Sequence, residues 1–208
     1  MGALVFAYSL INIINIDFKV PKLSDYDVIV LTSATGVDRL KDIELPKDKE
    51  YYTIGPKTEE KLIERGIYSR IPERYNSKEL AKFMISELKE RKKILTLRSQ
   101  EAPDYLEERL KEFHDVTRVD IYKVKMKDSI PEKKNFDIAF VSSSSNATAF
   151  KKKGLKAEII VSIGPETSNA LIKNGINPTI EADNHTLLGM LEALLDYLIR
   201  CDYFDKNR

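Results

Sequence analysis

Five short polar clusters in this sequence each follow an apolar run and precede an amphipathic one. They are Thr32-Ser33-Ala34-Thr35-Gly36, Gly55-Pro56-Lys57-Thr58, Arg98-Ser99-Gln100, Ser142-Ser143-Ser144-Ser145-Asn146 and Gly164-Pro165-Glu166-Thr167. Where a strand hands over to a helix, backbone N–H groups are left unpaired and the helix dipole is positive. In open α/β sheets, ligands bind beyond the carboxyl ends of the strands, at these same places. Each contact with an anion is worth about 0.3–1 kcal/mol. Several of them facing one cleft could hold a polyanion without a strongly basic surface. A single Ser or Thr in such a place ordinarily caps its helix. The four-serine run exceeds that use, because capping takes one hydroxyl.

One side chain could serve as an acid beside such a cleft. Tyr122 lies in Val119-Asp120-Ile121-Tyr122-Lys123-Val124, an extended segment. A phenol, with an ordinary pKa of about 10, stays protonated at pH 7 and donates a proton or a hydrogen bond. The alternative for Tyr122 is plain strand packing. Familiar catalytic patterns are absent from the sequence: there is no GxGxxG, no Walker A loop and no GxSxG elbow. The two histidines, His114 and His185, have no partner at metal-ligand spacing, and read as a surface or capping histidine and a neighbour of a helix cap. Lys151-Lys152-Lys153 reads as a solvated helix end. No metal and no cofactor is expected.

The elements that must position these residues can be read from hydrophobic periodicity. Strands are expected at 3–8, 12–17, 28–31, 51–54, 93–96, 116–124, 138–141, 159–163 and 179–181. Runs apolar on both faces suit a parallel sheet covered by helices. Helices are expected at 58–65, 77–91, 103–112, 168–174 and 186–200, with Gly66 and Gly175 as stops. Such alternation argues for a doubly wound α/β fold.

One pattern occurs twice. Ile54-Gly55-Pro56-Lys57-Thr58 continues to Leu62-Ile63, Gly66-Ile67 and Ile71. Ile163-Gly164-Pro165-Glu166-Thr167 continues to Leu171-Ile172, Gly175-Ile176 and Ile180 at the same offset. Upstream, Asp27-Val28-Ile29-Val30-Leu31-Thr32-Ser33 pairs with Asp137-Ile138-Ala139-Phe140-Val141-Ser142-Ser143. Downstream, Asn76-Ser77 pairs with His185-Thr186, each before a long helix. Three pairs in one order argue for duplication, and two copies this long are not a solenoid. The copies are not simple halves, because residues 92–122 add a strand–helix–strand without a counterpart. The chain is therefore expected to enter one lobe, cross to the other and return. That gives a discontinuous lobe of residues 1–9 and 126–208, a continuous lobe of residues 14–120, and linkers at 10–13 and 121–125 forming a two-stranded antiparallel hinge.

Composition fits an ordinary packed protein. The chain has 208 residues, 42% hydrophobic and 32% charged, with a net charge of +1. That near balance provides no global field for nucleic acid or membrane. The single cysteine, Cys201, excludes an intrachain disulfide and a four-cysteine zinc site, which fits a reducing cytoplasm. The apolar start lacks the basic residues and cleavage site of a signal peptide. Asn12, Asn15 and Asp17 interrupt it too soon for a membrane span.

Taken together, the sequence resembles the uroporphyrinogen-III synthase family. The matching residues are Leu31-Thr32-Ser33, Ile54-Gly55-Pro56-Lys57-Thr58, Leu97-Arg98-Ser99 with Tyr105-Leu106, and Val119-Asp120-Ile121-Tyr122. Phe140-Val141-Ser142-Ser143-Ser144, Ile163-Gly164-Pro165-Glu166-Thr167 and Glu181-Ala182 with Thr186-Leu187-Leu188-Gly189-Met190 complete the match, from about residue 2 to residue 198. Order and spacing carry it, since each motif is weak. The resemblance implies two flavodoxin-like parallel-sheet lobes joined by a two-stranded antiparallel linker. Members usually open with a strand and helix that is absent before residues 2–13 here, so the discontinuous lobe is expected to lack that unit.

The resemblance further implies closure of hydroxymethylbilane, a linear tetrapyrrole with eight carboxylates, to uroporphyrinogen III. Loss of the terminal hydroxyl as water gives an azafulvene, and the last ring inverts through a spiro intermediate. The family's tyrosine falls on Tyr122, its Gly-Pro threonine on Thr167, and its serines on Ser142 and Ser144. The substrate-binding set expected is Thr32, Ser33, Gly55, Thr58, Arg98, Ser99, Gln100, Ser142, Ser143, Ser144, Gly164 and Thr167. The expected partners are the tetrapyrrole and a transient contact with hydroxymethylbilane synthase, with neither nucleic acid nor membrane, and a monomer. The alternatives are a non-catalytic tetrapyrrole-binding or regulatory homologue, and an unrelated two-lobed glycosyltransferase. The lack of an acidic metal-binding pair after a strand disfavours the latter.

Overall fold

The computed structural model describes residues 4–129 and 131–201. Two compact units divide the chain, one of Met1–Asn12 with Lys125–Arg208 and one of Ile13–Val124. The chain passes between them in β1 (Ile11–Ile14) and near the end of β5 (Asp115–Met126). These two strands are neighbours in one sheet. The Lys127 N–H donates to the Leu10 carbonyl at 2.9 Å beside them.

The continuous unit runs β2 (Val28–Leu31), α1 (Ala34–Arg39), β3 (Glu50–Thr53), α2 (Pro56–Ile63), α3 (Ser77–Glu87), β4 (Lys93–Ser99), α4 (Tyr105–Lys111) and β5. Its strand order is β3-β2-β4-β5-β1. The first four strands are parallel, in the order of a doubly wound sheet. Alternate strand residues feed two cores. Ile29, Leu31, Leu95, Leu97 and Ile121 meet Val37, Leu40 and Leu62 of the α1–α2 side. Val28, Val30, Tyr52 and Ile94 meet Leu80, Met84, Leu106 and Leu110 of the α3–α4 side. Each fully buried Leu or Ile contributes roughly 1.5–3 kcal/mol, which is why the near-continuous apolar runs form central strands.

The discontinuous unit runs β6 (Asn135–Val141), α5 (Ser144–Lys152), β7 (Lys156–Ser162), α6 (Pro165–Lys173), β8 (Ile180–Glu181) and α7 (Leu187–Arg200). Its parallel sheet has three strands, β6-β7-β8. Val141 and Ile160 pack with α5 and α6. Ile159 and Val161 pack with Met190, Leu194 and Leu198 of α7.

The duplication seen in the sequence is visible in detail. Pro56 and Pro165 open α2 and α6. Gly66 and Gly175 close the two segments with φ of 72° and 73°, a conformation that favours glycine. The N–H of Ile67 returns to the Leu62 carbonyl as that of Ile176 returns to Leu171, both at 3.0 Å.

One expected strand is not formed. Residues 4–8 of the segment expected at 3–8 have no regular structure, and residue 3 lies outside the described residues. Leu4 and Val5 are 81% and 82% exposed. A strand is defined by a ladder partner, and the strand orders of both sheets leave this segment without one. Its aromatic rings find other contacts: Phe6 and Tyr8 meet Phe136 of β6 edge-on, with centroids 6.2 and 6.0 Å apart. Other boundaries moved by a few residues, most at α3, which stops at Glu87 instead of residue 91.

Candidate active site

In the continuous unit, three polar clusters sit at the carboxyl ends of neighbouring strands. Ser33 ends the β2 turn and caps α1, its Oγ accepting from the Gly36 N–H at 3.0 Å. That same oxygen lies 2.8 Å from the Tyr122 phenol oxygen. Thr32, half-buried, immediately precedes it. Tyr122 reaches this position through an irregularity in β5. Arg98 is opposite Asp120, yet Ser99 is opposite Tyr122, so Ile121 is an extra residue in the ladder. Such a bulge re-aims the side chains beyond it. Val119 and Ile121 face the α1–α2 core, and after the bulge Tyr122 and Val124 face it as well.

Tyr122 is nearly sealed, with 7% exposure. Burial raises its pKa above the ordinary 10, while the hydrogen bond with Ser33 acts in the opposite direction. The phenol is therefore protonated throughout the neutral range.

Ser99 is tied to a residue that sequence reasoning missed. Its hydroxyl donates to Glu101 Oε2 at 2.9 Å, and the same carboxylate oxygen accepts the Val124 N–H at 2.8 Å. Glu101 thus clamps the Ser99 turn to the far side of Tyr122. Gln100 is exposed, and its N–H donates to the Tyr122 carbonyl at 2.9 Å.

Arg98 is placed otherwise than a ligand-reaching arginine. It is 3% exposed, and its guanidinium donates to Glu107 at 2.9 Å and to the Pro103 carbonyl at 3.0 Å. Its partners lie inside the unit, where it fixes the loop from Ser99 to α4. Glu107 gave no signal in the sequence, since a glutamate in a helix normally faces water.

The two Gly-Pro turns share a further feature. A Cβ on Gly55 would meet the Tyr75 ring at 3.1 Å, and one on Gly164 would meet the His185 ring at 2.8 Å. Tyr75 precedes Asn76, the cap of α3, and His185 precedes Thr186, the cap of α7. The same ring-over-glycine packing therefore recurs in both units. The signal was present in the paired Asn76-Ser77 and His185-Thr186 segments. Thr58 and Thr167 both lie in the first helical turn with 3% exposure.

In the discontinuous unit the serine run divides its labour. Ser143 caps α5 by accepting the Asn146 N–H at 3.2 Å. Ser142 accepts from Asn146 Nδ2 at 3.3 Å, and Ser144 donates to the Glu166 carbonyl at 3.1 Å. That last bond joins the serine turn to the Gly164-Pro165-Glu166-Thr167 turn. The four expected residues Ser142, Ser143, Ser144 and Thr167 are thereby gathered on adjacent strand ends, with Ser142 and Ser144 exposed. Among the described residues no group of acidic, histidine or cysteine side chains has a metal-holding arrangement.

These features define an α/β protein of two parallel-sheet units with hydroxyl-rich strand ends and a buried phenol at one of them. The family model described as uroporphyrinogen-III synthase HemD matches residues 1–192, so the chain belongs to the uroporphyrinogen-III synthase family, whose enzymes act in tetrapyrrole and haem biosynthesis. Solved structures agree in fold. The uroporphyrinogen-III synthetase of Helicobacter pylori aligns with a TM-score of 0.66 at 20% identity, over 90% of this chain and 91% of that one. A mutant uroporphyrinogen III synthase from Thermus thermophilus aligns with a TM-score of 0.58 at 16% identity, over 86% and 80%. No curated protein matches the chain significantly in sequence. No helix among the described residues is long and apolar enough to cross a membrane.

Proposed function

We propose that this chain cyclises hydroxymethylbilane to uroporphyrinogen III with inversion of ring D, acting as a hydro-lyase in the cytoplasm. The observation that carries the reading is the phenol of Tyr122, held at a strand end by Ser33 within a chain of this family. Tyr122 is the acid. Its proton goes to the terminal hydroxyl of the bilane as the C–O bond breaks, and water leaves. The protonated azafulvene that remains carries the electrophilic carbon, and ring closure later releases a ring proton that restores the phenol. Overall the substrate loses one water and nothing is oxidised or reduced.

Binding falls to groups that present N–H and O–H donors to carboxylates. The N-terminal turns of α2, α5 and α6 present the positive ends of their helix dipoles. Thr32 and Ser142 provide hydroxyls, and Ser144 ties the serine turn to the Glu166 carbonyl beside them. Thr58, Thr167, Gly55 and Gly164 shape the turns. Holding a flexible tetrapyrrole in one folded geometry provides the larger share of the rate, as orientation does in other intramolecular closures.

The test is a coupled assay with porphobilinogen and hydroxymethylbilane synthase, followed by oxidation and separation of the product isomers. Isomer III is the expected product. Isomer I alone, which forms spontaneously, would sink the reading. Tyr122→Phe should lower kcat by about 10²–10⁴-fold, the range for losing a positioned acid, with a smaller change in KM.

A further inference from the structure

The hydrogen bond between Ser33 and Tyr122 could run in either direction, and the neighbouring bonds bear on which. Ser33 Oγ already accepts the Gly36 N–H at 3.0 Å. Among the described residues, its own proton meets no acceptor except the phenol oxygen of Tyr122 at 2.8 Å. The other hydroxyl to consider is that of Ser99, the residue opposite Tyr122 on β4. Its single proton is committed to Glu101 Oε2 at 2.9 Å, and the Glu101 N–H donates back to Ser99 Oγ at 3.3 Å. Ser99 therefore has no proton to donate to the phenol. A hydroxyl has one proton to give and two lone pairs.

We propose that Ser33 is a positioning residue that donates its hydrogen bond to the Tyr122 phenol oxygen, leaving the phenol proton directed away from α1 and free to be given to a bound hydroxyl. The inference rests on the reading of Tyr122 as the acid. It reassigns Ser33 from substrate contact to control of that acid. The capping bond favours that direction. With Gly36 on one lone pair of Ser33 Oγ, the Ser33 O–H is available across the turn to the strand end. Gly36 permits this approach, since a Cβ there would come within 3.3 Å of Ser33 Oγ and 3.5 Å of Ile121 Cδ1. The β5 bulge completes it by bringing Tyr122 to the same face. When the phenol gives up its proton, the Ser33 donor remains aimed at the phenolate, where a hydrogen bond to charge is stronger than one to a neutral oxygen.

The proposal separates Ser33 as a donor from Ser33 as a helix cap. Ser33→Thr keeps both. Ser33→Asp keeps the capping oxygen but has no proton to donate when ionised. Ser33→Ala loses both. The first measurement follows the Tyr122 phenol directly, by titration of ring-labelled tyrosine in the NMR spectrum, with Tyr122→Phe identifying the signal. The phenol pKa should rise by about one unit or more in Ser33→Ala and Ser33→Asp, and stay near the parent value in Ser33→Thr. The second measurement is turnover to isomer III. Loss of a hydrogen bond to a charged oxygen should lower kcat roughly tenfold to a hundredfold in the Ala and Asp variants with little change in KM, and the Thr variant should recover most of it. A phenol titration unmoved in both Ala and Asp variants overturns the proposal, whatever the parent makes of the bilane. Failure of the parent chain to form isomer III is a separate result, and counts against the proposed activity.

Discussion

Arg98 and Glu107 face each other at 2.9 Å with both side chains 3% exposed. The pair joins the end of β4 to α4, and the Arg118 guanidinium lies 3.8 Å from the same carboxylate oxygen. A pair sealed this well costs much to desolvate, so its net gain is small, but breaking it strands a charge in the core. Glu107→Ala should cost about 3–5 kcal/mol in unfolding free energy by urea titration. Replacing both partners with apolar residues of similar size, Arg98→Met with Glu107→Leu, should recover a large part of that loss.

The two Gly-Pro turns offer a matched comparison. The His185 ring stands 2.8 Å from where a Cβ of Gly164 would lie, and the Tyr75 ring 3.1 Å from that of Gly55. Both glycines have extended backbones, with φ of 165° and −178°, so the constraint is space and not backbone strain. Gly164→Ala should destabilise by about 1–3 kcal/mol, the usual cost of overpacking, and more than Gly55→Ala. Adding His185→Ala to Gly164→Ala should relieve most of the cost. The check is thermal unfolding of Gly164→Ala, Gly55→Ala, the double variant and His185→Ala alone. Equal losses with and without the ring would show that something other than the ring sets the need for glycine.

These two cases mark where the sequence was readable. The doubled Ile-Gly-Pro pattern placed both turns and the stop glycines Gly66 and Gly175, because each is a local demand of backbone geometry. Tyr122 was legible as a strand-end residue, but its direction was not. The bulge that turns it toward Ser33 arises from pairing between β4 and β5, and a ladder irregularity has no local sequence signature. The inward placement of Arg98 was illegible for a related reason. Its fate depends on Glu107 nine positions away on a helix, a partner visible only after packing. The strand expected at residues 3–8 had the right composition, but composition does not supply a ladder partner.

His114 gives a pH dependence unrelated to turnover. It is 2% exposed, and its Nδ1 accepts the Lys92 N–H at 3.4 Å. Burial first, and then the nearby Arg91 guanidinium, lower its pKa below the ordinary 6.5. The native state therefore holds this imidazole neutral in a range where the unfolded chain protonates it. Stability from this site is fully present above pH 6.5 and falls as pH drops toward the lower native pKa. Urea unfolding between pH 7.5 and 5 should show that decline in the parent chain. It should be shallower in His114→Gln, which cannot titrate. Parallel profiles would mean that other groups produce the acid loss.

Tyr122 predicts the opposite limb. Burial raises its phenol above the ordinary 10, outweighing the Ser33 hydrogen bond and the Arg98 charge that act in the other direction. Two consequences follow from that sign. For turnover, an acid must be protonated, so the rate of isomer III formation should show no loss from Tyr122 between pH 7 and about 9.5. An alkaline limb centred well below 10 that vanished in Tyr122→Phe would contradict this. For stability, the unfolded chain releases the phenol proton at about 10 while the native state still holds it. The contribution is thus complete below pH 10 and is lost as pH rises through the native pKa. Chemical unfolding at pH 9, 10 and 11 should therefore show a steeper alkaline decline in the parent chain than in Tyr122→Phe. A Ser33→Ala chain, lacking the donor that favours the phenolate, should decline more steeply than the parent.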